Sequence, residues 1–85
     1  MKTGTIVLSM AGRDEGRLFL VVDAPEENFR CIADGKLRLL ANPKRKKRKH
    51  LQSVGYSAEL AELYKQQRLT DRLLKQKLAL FKEAE

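Results

Sequence analysis

The residues with the most evident chemical capacity form the run Lys44-Arg45-Lys46-Lys47-Arg48-Lys49, followed at once by His50, the sole histidine. Six adjacent cations repel one another, and a polyanion relieves that repulsion. Lysine and arginine neutralise phosphates whatever the base sequence, so such a run supplies affinity without base readout. His50 has no Cys or His neighbour at ligand spacing, so no zinc site is expected and His50 continues the basic strip. Two further arginines, Arg13 and Arg17, sit in the turn Gly12-Arg13-Asp14-Glu15-Gly16-Arg17, whose glycines allow a sharp reversal.

Catalytic constellations are missing. One histidine and one cysteine, Cys31 in an apolar strand pattern, do not build a nucleophile and base. Asp14-Glu15 and Glu26-Glu27 are adjacent pairs on turns, where both carboxylates are solvated. There is no phosphate-binding glycine loop. The chain is therefore expected to be no enzyme and to need no cofactor or metal.

The charge is local. The 85 residues carry 18 Lys+Arg against 11 Asp+Glu, a formal net charge of +7. Residues 1–43 hold six cations and six anions, and residues 50–85 hold six and five, so nearly all of the excess lies in 44–49. A local patch implies a binding surface for RNA, DNA or an anionic membrane. The start Met1-Lys2-Thr3-Gly4-Thr5 lacks the apolar core of a secretion signal, and the longest apolar run, 18–22, is too short to span a bilayer. A single cysteine fits a reducing compartment. A soluble cytoplasmic protein with no membrane partner is expected.

Elements that would position these residues follow from periodicity. Strands are expected over 5–10, 17–22 and 28–33. Asp34-Gly35 signals a two-residue type I′ hairpin, with 36–40 as the return strand. A fifth strand is expected over 50–54. Closely spaced short strands favour a small barrel. The period then changes. Ser57 is a good N-cap, and Leu60, Leu63 and Tyr64 share a helical face. Leu73, Leu74, Leu78, Leu80 and Phe81 lie about a quarter-turn off that face in one continuous helix. A break near Leu69-Thr70 removes the conflict, giving helices over 57–68 and 71–82, with Thr70 capping the second and Leu69 stapled onto Leu74. Phe19 and Phe29 are expected in the core, and Tyr56 either stacks on a base or anchors the strand–helix junction.

The turn at 12–17, coming after Gly4-Thr5-Ile6-Val7, resembles the KOW motif: Gly12 stands at its glycine, and Val7, Gly16 and Val21 also match. Ala11-Gly12-Arg13-Asp14-Glu15-Gly16-Arg17, Ile32-Ala33-Asp34-Gly35, Asn42-Pro43-Lys44 and Lys49-His50-Leu51-Gln52 together are similar to the small bacterial KOW-domain RNA-binding proteins. Those in turn resemble the KOW-type large-subunit ribosomal proteins of archaea and eukaryotes. The resemblance covers residues 4–52 well and the tail loosely; Leu73 stands where a capping-box glutamate would follow Thr70. It implies an SH3-like β-barrel over residues 1–55, including the basic segment 44–50, with a helical extension over 56–85 in the same compact unit. It also implies a translation-related RNA partner, ribosomal or otherwise structured, met by Arg13, Arg17, Lys44, Arg45, Lys46, Lys47, Arg48, Lys49 and His50, with Gly12, Gly16, Asp34 and Gly35 shaping the turns. The competing expectation is a protein-interaction module of the transcription or translation machinery, whose barrel docks a partner. Against it, a peptide-binding barrel needs an aromatic groove, and aromatics make up only 6% of this chain.

Overall fold

A computed structural model describes residues 1–84; Glu85, the last residue of the expected extension, lies outside them. Five strands and two helices follow in order: β1 (Thr5–Ser9), β2 (Leu18–Glu26), β3 (Phe29–Ala33), β4 (Lys44–Lys47), β5 (Leu51–Tyr56), α1 (Ala58–Lys65) and α2 (Asp71–Ala84). A 3₁₀ turn, Arg48–His50, joins β4 to β5. The chain is thus mainly β with a helical tail. All strand pairs are antiparallel, in the order β4-β3-β2-β1-β5, and the sheet is not closed: the ladder ends at β4 and at β5. No described helix is long and apolar enough to cross a membrane.

Both faces of the sheet are buried, because the central strands carry apolar residues at successive positions. Ile6, Leu20, Val22 and Ala33 pack under Leu60 of α1 and under Leu74 and Leu78 of α2. Val7, Phe19, Val21, Ile32 and Leu51 gather on the opposite face. Register shifts in the β1–β5 and β2–β3 ladders bend the sheet around that second cluster. Pro25 falls within one such irregularity, between the Asp23↔Cys31 and Glu26↔Phe29 pairs, where its missing N–H costs no ladder bond. This lets β2 run on to Glu26, past the expected stop at Val22.

The strand expected over 36–40 does not form. A type I′ turn needs positive φ at both central residues, yet only Gly35 adopts it, at +78°. Asp34 instead folds the chain onto itself: its Oδ1 accepts the N–H groups of Lys36 and Arg38, at 3.0 and 2.9 Å. The N–H groups of Asp34 and Gly35 both reach the Arg38 carbonyl. Residues 35–43 therefore form a loop, and the neighbour of β3 is the basic segment, with Ile32↔Lys44 and Phe29↔Lys47 at the ends of the ladder.

The two helices are separate, each capped as expected. Ser57 Oγ accepts the Leu60 N–H and Thr70 Oγ1 accepts the Leu73 N–H, both at 3.1 Å. Leu69 and Leu74 share one cluster, consistent with a staple. Between the helices the Arg68 N–H bonds to the Leu63 carbonyl and the Gln67 N–H to the Tyr64 carbonyl, a Schellman ending. Its left-handed position is held by Gln67 at φ +59°, the one non-glycine at positive φ among the described residues. Gln67→Gly is expected to raise stability by about 0.5–1 kcal/mol, the relief of that strain less the entropy glycine adds to the unfolded chain. Chemical denaturation checks this, and a loss of stability would mean that the Gln67 side chain contributes more than its backbone costs.

Candidate nucleic-acid interface

Strand geometry divides the basic run. Side chains alternate along β4, so Lys44 and Lys46 face one way and Arg45 and Lys47 the other. Lys46 turns to the inner face and is 7% exposed. Its ammonium donates to Ser9 Oγ at 2.8 Å, to the Ala11 carbonyl at 2.7 Å and to the Asp14 carboxylate, an acceptor for each of its three protons. Ser9 also hydrogen-bonds Asp14 Oδ1, at 2.8 Å, and Lys44 Nζ lies 3.5 Å from Asp14 Oδ2. Burial by itself would raise the Asp14 carboxyl; the hydrogen bonds from Lys46 and Ser9, with the charges of Lys46 and Lys44, outweigh it and hold the group down at about 2. Lys46, expected in the RNA-facing strip, is therefore a structural cation.

That interaction also shows how strongly the sheet curls. In a flat sheet β4 and β1 lie about 14 Å apart, three strand spacings, beyond the reach of a lysine. A side chain thus ties the edge strand β4 to β1, three places away in the ladder. Arg30, opposite Lys46 in the ladder and 8% exposed, is similarly occupied. It donates to the carbonyls of Met1 at 2.7 Å, Glu26 at 2.9 Å and Phe29 at 2.7 Å.

On the outer side, Arg45 pairs with Glu26 at 2.6 Å and its guanidinium stacks 3.9 Å from the Phe29 ring centroid. Arg48 and Glu27 approach to 3.5 Å. Lys47 and Lys49 are exposed and have no carboxylate within 4.0 Å among the described residues. With Arg48 they line an open groove of about 690 Å³, together with Met1, Phe29 and Leu51. Phe29, expected in the core, is a half-buried groove wall, because strand β3 carries it past the cover of the helices. His50 is half-buried in the 3₁₀ turn, its carbonyl accepting the Met10 N–H at 2.8 Å.

The glycine-hinged loop does not act as one unit. Gly12 and Gly16 both sit at φ +85°, and between them Asp14 turns inward. Arg13 stays exposed with no ion pair among the described residues. Arg17 points elsewhere, towards Asp34 at 3.9 Å and the side of α2. Tyr56, at the strand–helix junction, is 47% exposed with Lys2 Nζ 4.8 Å from its ring centroid. Cys31 is half-buried; burial, reinforced by Asp23 and opposed by Arg45, pushes its thiol up, so the thiolate is suppressed. No trio of His, Cys, Asp or Glu side chains gathers among the described residues in a way that would hold a metal ion.

Compared with known proteins, the chain matches no protein-family model and no curated protein. Sequence reasoning missed two parts of the surface. Asp14 looked like half of a solvated pair, and nothing in its neighbours distinguishes it from Glu15. Lys36, Lys75 and Lys82 are scattered along the chain and meet Arg17 only through folding.

Proposed function

We propose that this protein is a non-catalytic RNA-binding protein of the KOW type, its curled open sheet an SH3-like barrel, acting on ribosomal or other structured RNA in the cytoplasm. The observation that carries the proposal is the pair of uncommitted cations, Lys47 and Lys49, on the rim of an open groove with an aromatic wall. Arg45 and Arg48 join them readily. Their partners Glu26 and Glu27 are exposed, and surface ion pairs of this kind are worth about 0–1 kcal/mol, so a phosphate displaces them at little cost. Arg13 extends the strip from the loop, while Lys44, on the Lys46 face of β4, is paired with Asp14. Lys46 serves from beneath by fixing the strand and loop that carry the others. Rigid, shape-dependent contact with the phosphate backbone suits such a surface better than base readout.

The test is a salt series. For a duplex RNA, the slope of log K against log salt should fall in magnitude by about 2 in Lys47→Gln/Lys49→Gln, close to one unit for each phosphate no longer neutralised. Melting temperature should hold, since both side chains are exposed. An unchanged slope would take the strip out of the interface.

A further inference from the structure

A second set of cations, far apart in sequence, meets at the other end of β3. Arg17 at the entry to β2, Lys36 in the loop after β3, and Lys75 and Lys82 on α2 line a cleft of about 210 Å³ over Leu18 and Leu78. The one carboxylate lining it, Asp34, is already in use: its Oδ1 accepts the N–H groups of Lys36 and Arg38. At 3.9 Å from Asp34 Oδ2, the Arg17 guanidinium is too distant for a hydrogen bond. Its buried Nε–H has no partner among the described residues. Lys36, Lys75 and Lys82 are exposed and have no carboxylate within 4.0 Å among the described residues. Lys36, Lys75 and Lys82 are thus unpaired among the described residues and Arg17 has only the 3.9 Å contact with Asp34, whereas four of the six cations in the run 44–49 are engaged with Asp14, Glu26 or Glu27. Lys75 and Lys82 stand seven residues apart on α2, about 10 Å along its axis, so the cleft is wider than one phosphate group.

We propose that this cleft is a second phosphate-backbone site for the same RNA, an inference that rests on the RNA-binding function proposed above. Phosphate suits it: four donors of positive charge converge on a small concavity with an apolar floor, and arginine with uncommitted N–H groups pairs with phosphate through its planar fork. From Phe29 at the first groove to Asp34 at the cleft, the chain advances five residues, roughly 17 Å of extended strand. The RNA must therefore be long enough to span that separation. A folded RNA presenting backbone at two places does so, and a mono- or dinucleotide does not.

The test compares wild-type protein with Lys75→Gln/Lys82→Gln and with Lys47→Gln/Lys49→Gln, titrated against an RNA hairpin with a stem of about ten base pairs over a range of salt. The cleft variant should weaken binding at least tenfold at low salt and reduce the slope of log K against log salt by about 2. Lys75→Arg/Lys82→Arg should keep the wild-type slope. Circular dichroism should be unchanged in both, because the two lysines are exposed on the helix. If the cleft variant keeps the wild-type slope while the Lys47/Lys49 variant drops by its two units, the cleft is only a solvated patch and the function proposed above survives. If wild-type protein shows no salt-dependent affinity for the hairpin, both fall together.

Discussion

Lys46→Met is expected to cost about 3 kcal/mol of stability, and with it about 15 °C in melting temperature for a domain of this size. The substitution keeps an unbranched side chain, one atom shorter, and removes its charge. Asp14 would remain buried at 4% exposure, with Ser9 and the more distant Lys44 as its remaining partners. Removing one member of a buried ion pair is costly because the other is left uncompensated, and Lys44 offsets only part of this. Replacing both, Asp14→Leu with Lys46→Met, should recover a large share of the loss, a coupling that a double-mutant cycle measures. The pH dependence has a definite sign. The Asp14 carboxyl is lowered in the folded state from 3.8 to about 2, so its stabilisation is fully present above pH 4 and is lost as pH falls towards 2. About 2 kcal/mol should disappear over that window in the wild type, and the gap to Lys46→Met should narrow with it. Wild-type stability in Lys46→Met at neutral pH would show that the ammonium is as well solvated in the unfolded chain as it is bonded in the sheet.

Gly35→Ala should be nearly as damaging, by a different route. A Cβ at this position would lie 2.2 Å from the Asp71 carbonyl oxygen and 3.0 Å from its carbon, so the first turn of α2 has to move. Asp71 is also what holds the loop: its Oδ1 accepts the Leu40 N–H at 2.7 Å. The substitution adds left-handed strain at φ +78°, displaces the helix start and threatens that bond, a total of about 3 kcal/mol. Gly16→Ala is the matched control. It has the same backbone sign, φ +85°, but nothing within 4 Å of its Cβ, so only the backbone strain, about 1 kcal/mol, should appear. Equal losses in the two variants would mean that the packing against α2 is soft and that strain alone decides.

The helical half of the fold was legible because its signals are local. Ser57 and Thr70 cap by hydrogen bonds to residues three places on, and the off-phase leucines demand a break. The first three strands were legible from their β-branched and aromatic content. Strand β4 was not. Four cations in succession show no apolar alternation and have low strand propensity. Their strand conformation depends on the partner β3 and on an acceptor cluster around Asp14 more than thirty residues away. The hairpin at Asp34-Gly35 was misread for a related reason. The Asp34 carboxylate competes for the N–H groups that a return strand would have needed. The basic strip was visible in the sequence as a series of charges, but which of them face outward is a property of strand alternation. The cleft beside α2 was invisible, since its four cations come from three separate stretches of the chain.

The open ladder has one more consequence, and it concerns copies of the molecule meeting in solution. A strand with unpaired N–H and C=O groups along one side is a template on which a second chain can add. In β4 that side belongs to four consecutive cations. Bringing two such edges to hydrogen-bonding distance, about 4.8 Å, would set one row of lysines and arginines against another. Like charges opposed across a ladder are destabilising, so the run guards the edge it occupies. Charge removal there has a separate liability, because a substitution at Lys47 that leaves the fold intact also weakens the barrier to sheet extension. Variants of this strand should accordingly be handled at low concentration, and any loss of solubility kept distinct from a loss of folding.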